Sequence, residues 1–92
     1  MLKIVSSNMF KKDLKLAIKR GLDIDKLRSV VNSIARQETL PKRYKDHNLT
    51  GDYKGFRECH IEPDWLLIYE YRKNVLVLVL NRLGSHSELF KK

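Results

Sequence analysis

Hydrophobic residues recur in two different rhythms along the chain. Phe10, Leu14, Ala17 and Ile18 fall at i, i+4, i+7 and i+8, one face of a helix. Ser6, Ser7 and Asn8 precede them and offer side-chain oxygens to the unpaired amides of a first turn. Gly21 follows and can take the left-handed conformation that ends a helix. Leu27, Val30, Val31 and Ile34 repeat the pattern, with Asp23 or Asp25 as cap and Leu40-Pro41 as the break. Leu2 to Val5 predicts a short strand ahead of both helices. Residues 42–54 are polar and read as an irregular connection. Beyond them the period shortens to two. Phe56 to Ile61 alternates as a strand does, Trp65 to Tyr71 predicts a second strand, and Val75 to Arg82 a third. Arg72-Lys73-Asn74 is a tight connection that makes the last two a hairpin. Val75 to Leu80 is apolar on both sides, which predicts a central strand covered on both faces. Gly84 ends it, and Ser85 to Phe90 predicts one short helical turn. The fold class expected is α+β, a single domain over 1–92 with two N-terminal helices packed on a small, mainly antiparallel sheet.

Composition narrows the function classes. The longest uninterrupted apolar run, Val75 to Leu80, is far too short to span a bilayer, and Met-Leu-Lys-Ile-Val at the start does not resemble a secretory signal. One cysteine, Cys59, excludes an internal disulfide framework and fits a reducing cytoplasm. No membrane partner is expected. The net charge of +8 is uneven: residues 1–46 carry 12 Lys/Arg against 5 Asp/Glu, residues 47–92 carry 7 against 6. A basic helical half is an electrostatic footprint for nucleic acid, or else a solvated surface that keeps a small protein soluble.

The second half holds the candidate chemistry. His47, His60 and His86, with Asp64 and Arg82, lie at or beside predicted strand ends, and a meander can bring such ends together. Imidazoles suit proton transfer near neutral pH, and a guanidinium suits a phosphate. This set fits metal-free cleavage of RNA. There the substrate's own 2′-OH is the nucleophile and the protein supplies acid, base and a cation. Tyr44, Tyr53, Trp65 and Phe90 offer faces for base stacking. Each residue also has a plain structural reading: His47 a surface histidine, Asp64 a turn former after Pro63, Arg82 a partner for Glu88, Trp65 and Phe90 core. No histidine pair has zinc-ligand spacing, so no metal and no cofactor is expected. Cys59 and His60, adjacent on a strand, point to opposite faces and form no dyad. Gly51 and Gly55 are isolated, which excludes a Gly-rich phosphate loop.

Three motifs occur in order: DH-x-L-x-G from Asp46, G-x-R-x-x-H-I-x-P-D-W from Gly55, and R-x-G-S-H-x-x-L-F from Arg82. Residues 40–71 and 80–90 thereby resemble the YafQ branch of the RelE/ParE toxin superfamily. The resemblance implies a RelE-like fold and a type II toxin-antitoxin toxin that acts as an mRNA interferase, an endoribonuclease cutting mRNA in the ribosomal A site. It places the catalytic positions on His47, His60, Asp64, Arg82 and His86, with Trp65 and Phe90 beside the substrate. His86 would be the principal proton-transfer group, and Arg82 would hold the scissile phosphate. Leu83 stands where many relatives have Thr. The implied partners are the ribosome with its mRNA, a cognate antitoxin with an acidic or partly disordered tail on a DNA-binding dimer, and, through that antitoxin, operator DNA. Three rival readings stand beside it: a ParE-like inhibitor of gyrase, which shares the fold; a non-catalytic nucleic-acid-binding module, which accounts for the charge but not for the three strand-end histidines; and, weaker, a metal-dependent nuclease.

Overall fold

The structure, a computed structural model, describes residues 1–90. The chain runs β1 (Lys3–Ser6), α1 (Asn8–Lys19), α2 (Ile24–Ala35), β2 (His47–Asn48), β3 (Arg57–Glu62), β4 (Trp65–Arg72), β5 (Val77–Gly84) and α3 (His86–Phe90). The strands form one sheet in the order β1-β5-β4-β3-β2. The pairing of β1 with β5 is parallel and the other pairings are antiparallel. The α+β expectation therefore holds, with five strands in place of the three-strand meander and its short N-terminal companion.

Local chemistry selects the helix ends. Of the three candidate caps for α1, Ser7 is the one used: its Oγ accepts the Phe10 N–H at 3.0 Å and donates to the Asn81 carbonyl at 2.7 Å. That side chain both starts the helix and ties it to β5. A cap of this kind is worth ~1 kcal/mol. Asp23 caps α2 through the Lys26 N–H. Gly21, at φ +75°, provides the left-handed step between the helices.

The two helices cover one face of the sheet. Phe10, Ala17, Leu27, Val30 and Ile34 pack there on Trp65, Leu67, Tyr69, Leu78 and Leu80. The opposite face carries a smaller cluster, in which Leu66 and Ile68 lie under Leu89 of α3, with Leu49, Tyr53, Phe56 and Phe90 around them. The continuous buried run thus belongs to β4, where Trp65 to Tyr69 are all buried. The hairpin connection is longer than the sequence suggested. Residues Lys73–Val75 form a 3-10 turn, Leu76 is left-handed, and Val75 and Leu76 are exposed, so the third predicted strand begins at Val77. The strand ends at Gly84, as expected. The expected irregular connection contains two 3-10 turns and the two-residue β2.

Candidate active site

Cross-strand register decides which side chains share a face. Directly opposite residues form rows across the sheet, and a row points to one side. One row runs His47, Glu58, Ile68, Arg82, and the neighbouring row runs His60, Leu66, Gly84. Both face away from α1 and α2. Two residues past Gly84, α3 opens with His86 and folds over this face. Ring centroids of His47 and His60 lie 6.5 Å apart, those of His60 and His86 5.4 Å, and those of His86 and Phe90 6.5 Å. A cleft of about 520 Å³ is lined by His47, Leu49, Glu58, His86, Ser87 and Phe90.

Hydrogen bonds fix the tautomers. A carbonyl only accepts, so the His47 Nδ1 that lies 2.6 Å from the Lys45 carbonyl carries the proton, leaving Nε2 for chemistry. His86 is held in the same way. Its Nδ1–H donates to Asp64 Oδ1 at 2.7 Å, its backbone N–H donates to that oxygen at 2.9 Å, and its Nε2 remains open. These two contacts, the backbone N–H foremost, hold the Asp64 carboxyl below its ordinary range. His60 is reversed: its Nε2–H donates to Glu58 Oε1 at 3.1 Å. The same oxygen lies 3.6 Å from His47 Nε2. Glu58 is only 4% exposed, a buried carboxylate between two imidazoles.

Short β2 places His47 because its flanks are anchored. Asp46 accepts from Arg57 Nη2 at 3.1 Å and from the Tyr69 hydroxyl, and Arg57 Nη1 donates to Asn48 at 2.7 Å. Hydrogen bonding to Asp46 raises the Arg57 pKa; burial, aided by Asp46, raises that of Tyr69. This clamp spans Asp46, Asn48, Arg57 and Tyr69 and fixes the backbone on both sides of His47.

Arg82 shares the His47 row but does not touch an imidazole. Pairing of β1 with β5 stops at Leu80, and Asp13 of α1 fills the edge beyond it. Asp13 accepts the Leu83 N–H at 2.9 Å, Arg82 Nε at 2.8 Å and Arg82 Nη2 at 3.3 Å. One side of the guanidinium is committed there, and this ion pair raises the Arg82 pKa. Glu88, the partner suggested by sequence, instead pairs with Arg20 at 3.1 Å. Trp65 requires a correction: it is 4% exposed and packed among the residues under the helices, on the opposite face from the cleft. It alternates with Leu66, so it cannot reach a substrate in the cleft. Phe90 does line the cleft, and its ring meets Tyr53 edge-on at 5.6 Å between centroids. Cys59 is fully buried on the helix side, with its thiol pKa pushed up by that burial, so it provides no nucleophile.

Glu58 and Asp13 are the residues that sequence reading missed. Glu58 carried a usable signal, since it stands two residues before His60 on one strand face. Asp13, on α1, carried none. Glu58, His60 and His86 also bring one donor atom each to within 4.8 Å of one another. Sequence spacing hid this set because α3 delivers the third donor.

A mixed sheet with two N-terminal helices on one face and a histidine and carboxylate cleft on the other is the build of a RelE-like toxin. The family model for "Bacterial toxin of type II toxin-antitoxin system, YafQ" matches residues 2–91, and the chain belongs to that family. It is 42% identical over 85 residues to the mRNA interferase toxin YafQ of Escherichia coli K12, covering 91% of this chain and 90% of the relative. A metal-bound toxin from Helicobacter pylori is 51% identical and superimposes with a TM-score of 0.94 over 98% of this chain and 100% of that one. YafQ in the Escherichia coli DinJ-YafQ complex is 42% identical, with a TM-score of 0.87 over 98% and 99% of the two chains.

Proposed function

We propose that this toxin is a ribosome-dependent mRNA endoribonuclease. The observation that carries the reading is the pair of imidazoles, His47 and His86, whose Nδ1 protons are committed and which line one cleft. A base accepts the proton of the substrate 2′-OH, the oxygen attacks the adjacent phosphorus, and an acid protonates the departing 5′-oxygen. The products are a 2′,3′-cyclic phosphate and a 5′-hydroxyl. His86 is the principal proton-transfer group, oriented by Asp64 as a carboxylate orients the histidine of a hydrolytic triad. His47 is the complementary group, and Glu58 holds His60 and balances positive charge between the rings. The side of Arg82 that Asp13 leaves, beside Tyr53, offers a cation for the scissile phosphate, and Phe90 offers a stacking face.

The A site presents mRNA and ribosomal RNA together, and the molecule has two faces to meet them: the cleft, and the Lys-rich outer surface of the helices. Substrate positioning falls to the ribosome. The chain acts as one domain in the cytoplasm. Its cognate antitoxin supplies an acidic segment that covers the cleft, on a DNA-binding dimer that brings the complex to operator DNA. DinJ bound to YafQ in the related complex supports that partner.

The metal-bound relative raises a second use of the same groups. One carboxylate oxygen and two imidazole nitrogens are donors suited to zinc or copper, so Glu58, His60 and His86 would hold such an ion. A bound ion would supply Lewis acidity to a phosphoryl oxygen. It would also take His86 from proton transfer, so the two uses compete.

Primer extension on mRNA with and without translating ribosomes, beside His86→Ala and with a chelator, tests the reading. Expected are in-frame cuts that need ribosomes, survive chelation, and fall by ~10²–10⁴-fold in the variant. Cuts on naked RNA would remove the ribosome. Cuts lost to chelation would make the ion essential. Gyrase inhibition without cuts would move the protein to the ParE-like reading.

A further inference from the structure

A second concavity lies beside the cleft. Its volume is about 280 Å³, and Lys26, Arg43, Tyr44, Lys45, His60 and Glu62 line it. His60 links the two: it lines this pocket, and its ring lies 6.5 Å from that of His47 and 5.4 Å from that of His86, both of which line the cleft. The pocket is cationic. Three basic side chains face one carboxylate, Glu62, which pairs with Lys26 Nζ at 2.7 Å. Both members of that pair are partly exposed, so the ion pair is weak enough to yield to a stronger anion. The Arg43 guanidinium stacks 4.8 Å over the Tyr44 ring and donates to its hydroxyl at 3.3 Å.

Backbone geometry couples the pocket to the cleft. A 3-10 turn, Lys42–Tyr44, ends with Lys45 in the left-handed region, at φ 49°. Lys45 thus lines the pocket while its carbonyl accepts the His47 Nδ1–H. An occupant held by Lys45 therefore acts on the residue that sets the His47 tautomer.

We propose that this pocket is a subsite for the mRNA nucleotide next to the scissile one. Lys26, Arg43 and Lys45 hold its phosphate, and Tyr44 takes its base. The proposal rests on the ribonuclease reading. The volume, just below the ~300 Å³ at which small-ligand sites begin, suits one nucleotide and not a longer segment. A phosphodiester matches the excess positive charge, and an aromatic face with a stacked guanidinium accepts any base. The subsite thus contributes register and affinity, with little choice of base.

Two measurements test this separately from catalysis. In the first, isotope-labelled protein is titrated with adenosine 3′-monophosphate, with inorganic phosphate, and with a short poly-glutamate peptide, followed by NMR. The nucleotide should shift the Tyr44 ring and the Lys26, Arg43 and Lys45 signals, saturating at lower concentration than phosphate. Arg43→Gln/Lys45→Asn should lose those shifts, while His86→Ala should keep them. Asn tolerates the left-handed conformation that Lys45 holds, which protects the fold. In the second, ribosomal cleavage by Arg43→Gln alone, which leaves the Lys45 contact to His47 in place, should show KM raised about 10-fold with kcat nearly kept, the loss of one charge-assisted contact. Nucleotide shifts confined to the cleft would overturn the proposal, as would an unchanged KM. Binding of poly-glutamate without the nucleotide would assign the pocket to an acidic protein segment instead. Pocket binding without cleavage by the wild type would overturn the ribonuclease reading and leave a nucleotide site. Cleavage without pocket binding would do the reverse.

Discussion

Asp64 acts on His86 with one oxygen, which accepts from both the ring and the backbone. Asp64→Asn keeps an acceptor but removes the charge, so cleavage should fall by ~10–100-fold with the fold intact, read by single-turnover kinetics and circular dichroism. Its folded pKa is depressed, so whatever stability the pair adds is present above the ordinary carboxylate value and lost as pH falls through the lowered one. Urea denaturation of wild type and variant should therefore differ by a constant amount from neutral pH down to about 4 and converge below it. The difference should be small, because Asp64 is exposed. Residue chemistry was readable in the sequence where polar, titratable groups interrupt strand patterns, as His60 and Asp64 do. For Glu58 only its spacing from His60 was readable, not its burial, which depends on pairing with β2 and β4; for Asp13, whose partners are about 70 positions away, nothing was. Trp65 was misplaced as a substrate contact because motif membership says nothing about which face a strand residue takes.

Helices and strands were legible wherever one periodicity ran for a full element. The stripes of α1 and α2 and the alternation of β3 sufficed, whereas Val75 and Leu76 extended an apolar run that the backbone turns away from the sheet. Elements too short to have a period, β2 above all, left no trace. The junction of β5 and α3 shows how tightly one element aims a functional residue. A Cβ on Gly84 would come within 3.2 Å of Leu89 Cδ2 and 3.3 Å of Glu88 Oε1. Gly84→Ala should therefore tilt α3 by a few tenths of an ångström and carry His86 with it. Cleavage is expected to fall roughly 10-fold while thermal stability changes little, since misplacement of this kind acts on alignment before it acts on packing. Equal losses in both would mean that α3 is a structural clasp only.

As a whole, the molecule carries basic charge on its helices as well as beside the cleft. The helices turn cations such as Lys11 and Lys15 outward on one side of the sheet, and the cleft opens on the other. Ribosome binding should weaken with salt, with log affinity falling by about 0.7 to 0.9 per log unit for each phosphate contacted. Charge reversal at Lys11 and Lys15 should flatten that slope in a salt titration without altering kcat, because neither lies near the cleft. The sheet order carries one more consequence, for the order in which the protein comes into being. Lys3 pairs with Val77 and Ser6 with Leu80, so the first strand synthesised has no neighbour until nearly the last has left the peptide tunnel. His86 lies farther along still. A chain that stops short of β5 and α3 therefore presents an open edge and no assembled cleft, so whatever the cleft does waits until both have been made.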